Sequence, residues 1–131
     1  MKMLTKALFL IAALVNLAPV SGVLSADMLE SLYGVALEDP NLVILMRHRA
    51  VLFGVVGVLL VACVFRPALR PIGLAVGLTS MLAFVVIAYV VGDFNTRLQN
   101  AVWIDLAASA LLLAGGIANG CSCGSGKAEL T

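Results

Sequence analysis

Few residues in this chain have types suited to chemistry. Arg47, His48 and Arg49 are consecutive, while Asp105 and Asn16 each interrupt an otherwise apolar run. Charge in or beside a bilayer core is costly and is kept where it meets a partner, a ligand or a transported ion. Three arrangements satisfy these residues. Arg47 or Arg49 can pair with Asp105 as a structural lock between helices, because an isolated carboxylate in hydrocarbon must protonate or find a partner. The same groups can form a polar ligand or proton-handling site. Alternatively, the arginines reach headgroup phosphates and Asp105 stays protonated. The lock is the expectation the cost argument favours. His48, between two arginines, reads as an interfacial hydrogen-bonder rather than a catalyst.

Cys63, Cys121 and Cys123 are the other candidates. Three is an odd number and too few for a disulfide framework. Cys121-x-Cys123 can hold a soft metal or cycle its redox state, but no histidine or acidic ligand stands beside it. Free or acylatable thiols are the default, with a thiol site at Cys63, Cys121 and Cys123 as the alternative. No P-loop, HExxH, GxSxG or dinucleotide fingerprint occurs, so neither an enzyme nor a resident metal or cofactor is expected.

The elements that position these residues are membrane spans. Of 131 residues, 63% are hydrophobic and 11% charged, and the mean hydropathy is +1.14. A soluble domain of this size has no interior large enough for that much apolar surface. The net charge of +1 gives no case for nucleic-acid binding. The reading is an all-α membrane protein: a four-transmembrane-helix bundle forming a single domain. Its spans fall at about 4–24, 41–65, 72–91 and 100–118, followed by a flexible tail over 119–131. The first span, with Pro19 kinking its outer end, is preferred over a cleaved signal peptide. Asn16 has no place in a simple signal core and suggests a helix packed against polar partners.

Between spans one and two, Met28, Leu29, Leu32, Tyr33 and Ala36 recur at helical intervals. They predict a short amphipathic helix, with Asp27 and Glu30 at capping-box spacing. It is too short to span, so it lies on the surface or packs over the bundle mouth, as an ordered cover with a ligand-gating lid as the alternative. Asp39-Pro40 starts the second span, with Asp39 as N-cap and proline at the first helical position. That helix, residues 40–65, is ~39 Å long and must tilt or project. Ala50, Gly54 and Gly57 form a strip for close helix approach, as do Gly73 and Gly77 with Ser80 in span three. Arg66-Pro67 to Arg70-Pro71 is a tight basic turn, and Gly92 to Asn100 is a polar loop.

Lys2, Lys6, Arg66, Arg70 and Lys127 fall on one side of four spans, which places both termini in the cytoplasm. Arg47, His48, Arg49 and Arg97 oppose that signal, which strengthens the case that the cluster has a role. By helical rise, Asp105 lies ~18 Å and Arg49 ~24 Å from the inner ends of their helices, an offset a long arginine bridges. Asn16 is level with Asp105, so Asn16, Arg49 and Asp105 can share one polar layer. Trp103 reads as an interfacial anchor.

Leu32-Tyr33-Gly34, then Arg47-His48-Arg49-Ala50-Val51-Leu52-Phe53-Gly54 with Gly57, Arg66-Pro67 and the late Asp105 carry a resemblance. Over roughly residues 5–118 the chain resembles the DoxX-like group of small four-span bacterial membrane proteins. Members are largely uncharacterised, and a few are linked to respiratory or redox processes. Together with the residues, the first expectation is a non-catalytic inner-membrane protein or accessory subunit that binds a lipid, a quinone or a partner membrane protein through its outer polar cluster. A small proton-coupled transporter using Asp105 is the alternative, and a membrane redox accessory protein using the thiols is a third. No pattern specifies an oligomer.

Overall fold

The computed structural model describes the backbone of residues 2–124 and the side chains of residues 3–118. The described chain is helical, in the order α1 (Lys2–Leu17), α2 (Ala26–Tyr33), α3 (Pro40–Phe65), α4 (Arg70–Val91) and α5 (Thr96–Gly124). Two short 3-10 segments, Ala18–Val23 and Pro67–Leu69, join them.

Local chemistry sets most of these boundaries. Pro19 has no N–H to continue the α-helical ladder, so α1 tightens into the 3-10 segment instead of running straight on. Asp39 caps α3 as its type predicts: Oδ1 accepts from the Asn41 N–H at 2.8 Å, and Pro40 takes the first helical position. The expected capping box does not form. Helix α2 begins at Ala26, which puts Asp27 inside the first turn and leaves Ser25 at the cap without a side-chain bond. Glu30 reaches forward and accepts from the Leu37 N–H at 2.6 Å. Gly34, at φ 65°, ends α2 in a left-handed turn that a β-carbon would strain.

Two loops are shorter than the sequence suggests. Helix α4 starts at Arg70 rather than near 72, and α5 starts at Thr96 rather than near 100. Asn95 causes the second difference, because its Oδ1 accepts from the Leu98 N–H at 2.8 Å as an N-cap. Helix α5 continues to Gly124, past the expected limit at 118. The side chains of Cys121 and Cys123 lie outside the described residues.

Helices α1, α3, α4 and α5 form a closed ring: α1 packs on α3, α3 on α4, α4 on α5 and α5 on α1. We call the end covered by α2 the upper end and the end with the Pro67 turn the lower. Four segments, Met3–Val23, Pro40–Phe65, Pro67–Val91 and Thr96–Ala118, are long and apolar enough to cross a bilayer, with mean hydropathies of 1.8 to 2.4. Only 22% to 33% of each apolar window is buried within the bundle, so most of its surface faces outward. Leu14, Val58, Val86, Val90 and Ile117 are among the large apolar side chains left exposed. Water would not tolerate that surface, whereas lipid tails solvate it. The chain is a multi-pass membrane protein.

The lower half is tightly packed. Phe9, Ala12, Ala13, Leu60, Cys63, Met81, Ala108 and Leu112 form its core. Gly57 allows α1 and α3 to approach closely: a β-carbon there would stand 2.6 Å from Leu17 Cγ and 3.2 Å from the Ala13 carbonyl oxygen. The upper half is not filled in this way. Its apolar side chains form two separate groups, one around Leu29, Tyr33, Leu37 and Ala50, the other around Val85, Ala88 and Val102.

Candidate functional site: a cavity in the upper half of the bundle

Nine residues separate Pro40 from Arg49 and Thr96 from Asp105 (49 − 40 and 105 − 96). Each therefore sits ~14 Å along its helix from the upper end, at a common depth. Asn16 reaches this zone from below, in the last turn of α1. The three residues line one cavity of about 360 Å³, with Tyr33 from α2, Phe53 from α3 and Phe84 from α4. Arg97 and Asn100 also line it, from the first turns of α5.

The expected polar cluster divides here. Arg47 and His48 are exposed, and only Arg49 is partly buried. Consecutive helical residues point ~100° apart, so three in a row cannot share one face. Nor does Arg49 form the lock with Asp105: no ion pair joins them among the described residues. The guanidinium is instead held among aromatic rings, with its Cζ 4.4 Å from the centre of Phe84, 5.0 Å from Phe53 and 5.2 Å from Tyr33. A weakly hydrated planar cation suits such faces. Phe53 follows Arg49 by one helical turn and lies on the same side of α3.

Asn16 does not meet polar partners on other helices either. Its side-chain nitrogen donates to the Ala12 carbonyl of its own helix at 2.9 Å. That bond sets the amide orientation, since turning the amide would bring two oxygens together. Oδ1 is left buried without a hydrogen-bond partner on a residue only 2% exposed. Asp105 is half-buried, and its backbone carbonyl accepts from the Ser109 hydroxyl at 2.7 Å.

Helix α2 roofs the cavity. Asn95 Nδ2 donates to the carbonyls of Tyr33 at 2.9 Å and Gly34 at 3.1 Å, and Arg97 donates to the Ser31 carbonyl. Burial pushes the Tyr33 phenol above its usual value, opposed by the charge of Arg49 and reinforced by that of Asp105. Both charges therefore act on the same ring.

A second cavity of about 440 Å³ lies on the other side of Phe84, between α3, α4 and the start of α5. It shares Arg49, Phe53 and Phe84 with the first, and beyond them its lining is almost wholly apolar, including Ala88, Val91, Phe94 and Leu98.

The thiol candidate is far from both. Cys63 is a free, buried cysteine at the lower end, donating to the Leu69 carbonyl at 3.3 Å. Arg70 is buried next to it and donates from Nε to the Cys63 carbonyl at 3.2 Å, so it ties the turn together. No group of three His, Cys, Asp or Glu residues able to hold a metal ion occurs among the described residues. Sequence reasoning missed Tyr33, Phe53 and Phe84 as site residues. The i, i+4 spacing of Arg49 and Phe53 was a usable signal, but nothing local marks Phe84.

A ring of four apolar helices around a polar, aromatic-walled cavity near one end defines a small multi-span helical membrane protein. Comparison with protein-family models, curated proteins and solved structures finds no match to this chain.

Proposed function

We propose that the protein is a non-catalytic integral membrane protein that binds an amphipathic molecule of the bilayer, a lipid or a quinone, in the upper cavity. The observation that supports this is the joint lining of one cavity by Asn16, Arg49, Asp105 and three aromatic rings. Its volume of about 360 Å³ lies at the small-molecule end of ligand sites, which run from ~300 to ~1,000 Å³. A recess of that shape suits a head group or ring better than a partner membrane protein's helix. In keeping with the DoxX-like resemblance, we place the protein in a bacterial inner membrane with both termini cytoplasmic. Alkaline phosphatase fused after Thr131 is then inactive, and fused near Glu38 it is active.

The test of binding is purification from native membranes in mild detergent, followed by mass spectrometry of the extracted lipid fraction. The wild type is expected to retain one class of amphiphile stoichiometrically. Ala101→Phe, which fills the cavity from α5, is expected to lose it while remaining folded. The same lipid profile in both proteins refutes the reading.

A proton-coupled carrier using Asp105 is the second reading. It is favoured by the carboxylate's having no ion-pair partner among the described residues, level with the cavity. Loss of proton-driven transport in Asp105→Asn, with the bound amphiphile retained, would select it.

A further inference from the structure

The cavity's chemistry specifies the ligand further than "lipid or quinone", and this step rests on the reading of the cavity as an amphiphile site. Asn16 Oδ1 is a buried acceptor without a donor, and Asn16 lines the cavity. Such a group in a membrane interior is costly until a donor meets it. The amide nitrogen is already committed to Ala12, so the site asks for a hydrogen-bond donor, not an acceptor. Charge narrows the choice. An anionic head would face the Asp105 carboxyl, and a cationic head would face the Arg49 guanidinium, which line the same space. A neutral hydroxyl suits both: it donates to Asn16 Oδ1, and a second hydroxyl can reach Asp105.

The second cavity adjoins the first, with the side chains of Arg49, Phe53 and Phe84 lining both. Apart from Arg49 and Ser80 its lining is apolar, and Ile87 and Val91 at its edge are exposed on the lipid-facing surface. A tail attached to a polar head beside Asn16 would enter this apolar space between α3 and α4 by displacing the Phe84 ring that stands between the two cavities.

We propose that the two cavities together bind one neutral, hydroxyl-headed single-chain amphiphile, its hydroxyl donating to Asn16 Oδ1 and its hydrocarbon tail lying beyond Phe84 in the second cavity.

The test uses the purified full-length protein in detergent micelles and two probes, monooleoylglycerol and its di-O-methyl ether. They share the oleoyl chain, but only the first donates hydrogen bonds. Binding is read by native mass spectrometry and by the shift in thermal unfolding. The alcohol is expected to bind about tenfold more tightly than the ether, the usual effect of leaving a buried acceptor unsatisfied. Asn16→Leu should shrink that ratio to within about twofold, because the acceptor is gone. Ala83→Phe, at an exposed position lining the second cavity, should weaken monooleoylglycerol about tenfold. It should leave the short-chain monobutanoylglycerol unaffected.

Equal binding of alcohol and ether by the wild type overturns the proposal, since a water molecule then satisfies Asn16. A tail insensitive to Ala83→Phe overturns it as well. Because the first comparison needs no variant, failure of Asn16→Leu to fold leaves the proposal exposed to refutation. If neither probe binds but native extracts retain a phospholipid or quinone that Ala101→Phe loses, this inference fails and the lipid-site reading stands. If no cavity-dependent molecule is found at all, both fail.

Discussion

If rings rather than a carboxylate hold Arg49, then Phe84 and Arg49 must be energetically coupled. The perturbation is a double-mutant cycle of Arg49→Met and Phe84→Leu. Each single change also alters packing and desolvation, but those contributions cancel in the cycle and leave the pair term. The Phe84 ring is the nearest of the three, at 4.4 Å from the guanidinium carbon. A cation over an aromatic face contributes ~0.5–1 kcal/mol when exposed and ~2 kcal/mol when desolvated. Arg49 is only partly buried, so the expected coupling is ~1–1.5 kcal/mol. The companion cycle pairs Arg49→Met with Asp105→Asn. A buried ion-pair lock predicts a cost of ~3–5 kcal/mol for removing either partner, and we expect a coupling below that range, because no ion pair joins the two among the described residues. Unfolding in mixed micelles by denaturing detergent, followed by helical circular dichroism, supplies the four stabilities in each cycle. Coupling to Phe84 within ~0.3–0.5 kcal/mol of zero would refute the aromatic cage. Coupling of several kcal/mol to Asp105 would restore the lock.

Three further outcomes follow from the packing and the titration. Gly57→Leu forces a side chain into Leu17 and the Ala13 carbonyl and should destabilise the bundle by ~1–3 kcal/mol, measured by the same detergent titration. Burial raises the folded Tyr33 phenol above its ordinary value, so the folded state prefers the neutral phenol. The stabilisation this contributes is complete below the unfolded value and is lost as pH rises through the folded one. In a Tyr89→Phe background, phenolate absorbance should therefore titrate above pH 10, and Tyr33→Phe should lessen the alkaline loss of stability; an ordinary titration curve would show that the ring is not buried. Replacing Cys63, Cys121 and Cys123 together with serine should leave the amount of membrane-inserted protein nearly unchanged, as serine can keep the bond from position 63 to the Leu69 carbonyl. A marked fall in membrane-fraction immunoblots would contradict this.

Much of the architecture was legible because bilayer physics leaves few choices. Long apolar runs must be helices, and Asp39-Pro40, Pro19 and Arg66-Pro67 place breaks where backbone chemistry requires them. Gly57 and Ala50 were readable as packing positions for the same reason. Errors arose where one residue has two competing uses. Asp27 and Glu30 have capping-box spacing, but Glu30 is used by the Leu37 amide. Asn95 looked like loop polarity and is an N-cap. The Arg49–Asp105 lock was inferred from cost alone. That argument correctly demanded a partner for the arginine, but it could not count aromatic faces as partners. Phe84 lies on another helix, and no local pattern ties it to Arg49. Depth along the helices was recoverable by counting, which is why Asn16, Arg49 and Asp105 could be placed in one layer. Facing direction was not, and Arg47 and His48 turn outward while Arg49 turns toward the cavity.

The contrast between the two halves of the bundle bears on how a polar cavity persists in so small a protein. In the lower half, glycine and alanine bring the helices together around Phe9, Leu60 and Leu112, each 0% exposed. Close contact of this kind is the main source of helix association where lipid offers no hydrophobic drive. In the upper half, Phe53 and Phe84 stand between the helices and leave space on either side of them. Helix α2 then closes the top through Asn95 and Arg97, bonds that are polar and replaceable by water. On the proposed function, stability and binding thus fall to opposite ends. Substitutions in the lower core should reduce the folded fraction without altering what is bound. Substitutions at Asn16, Phe84 or Ala101 should alter binding first. A protein whose cavity were only a packing fault would show no such division.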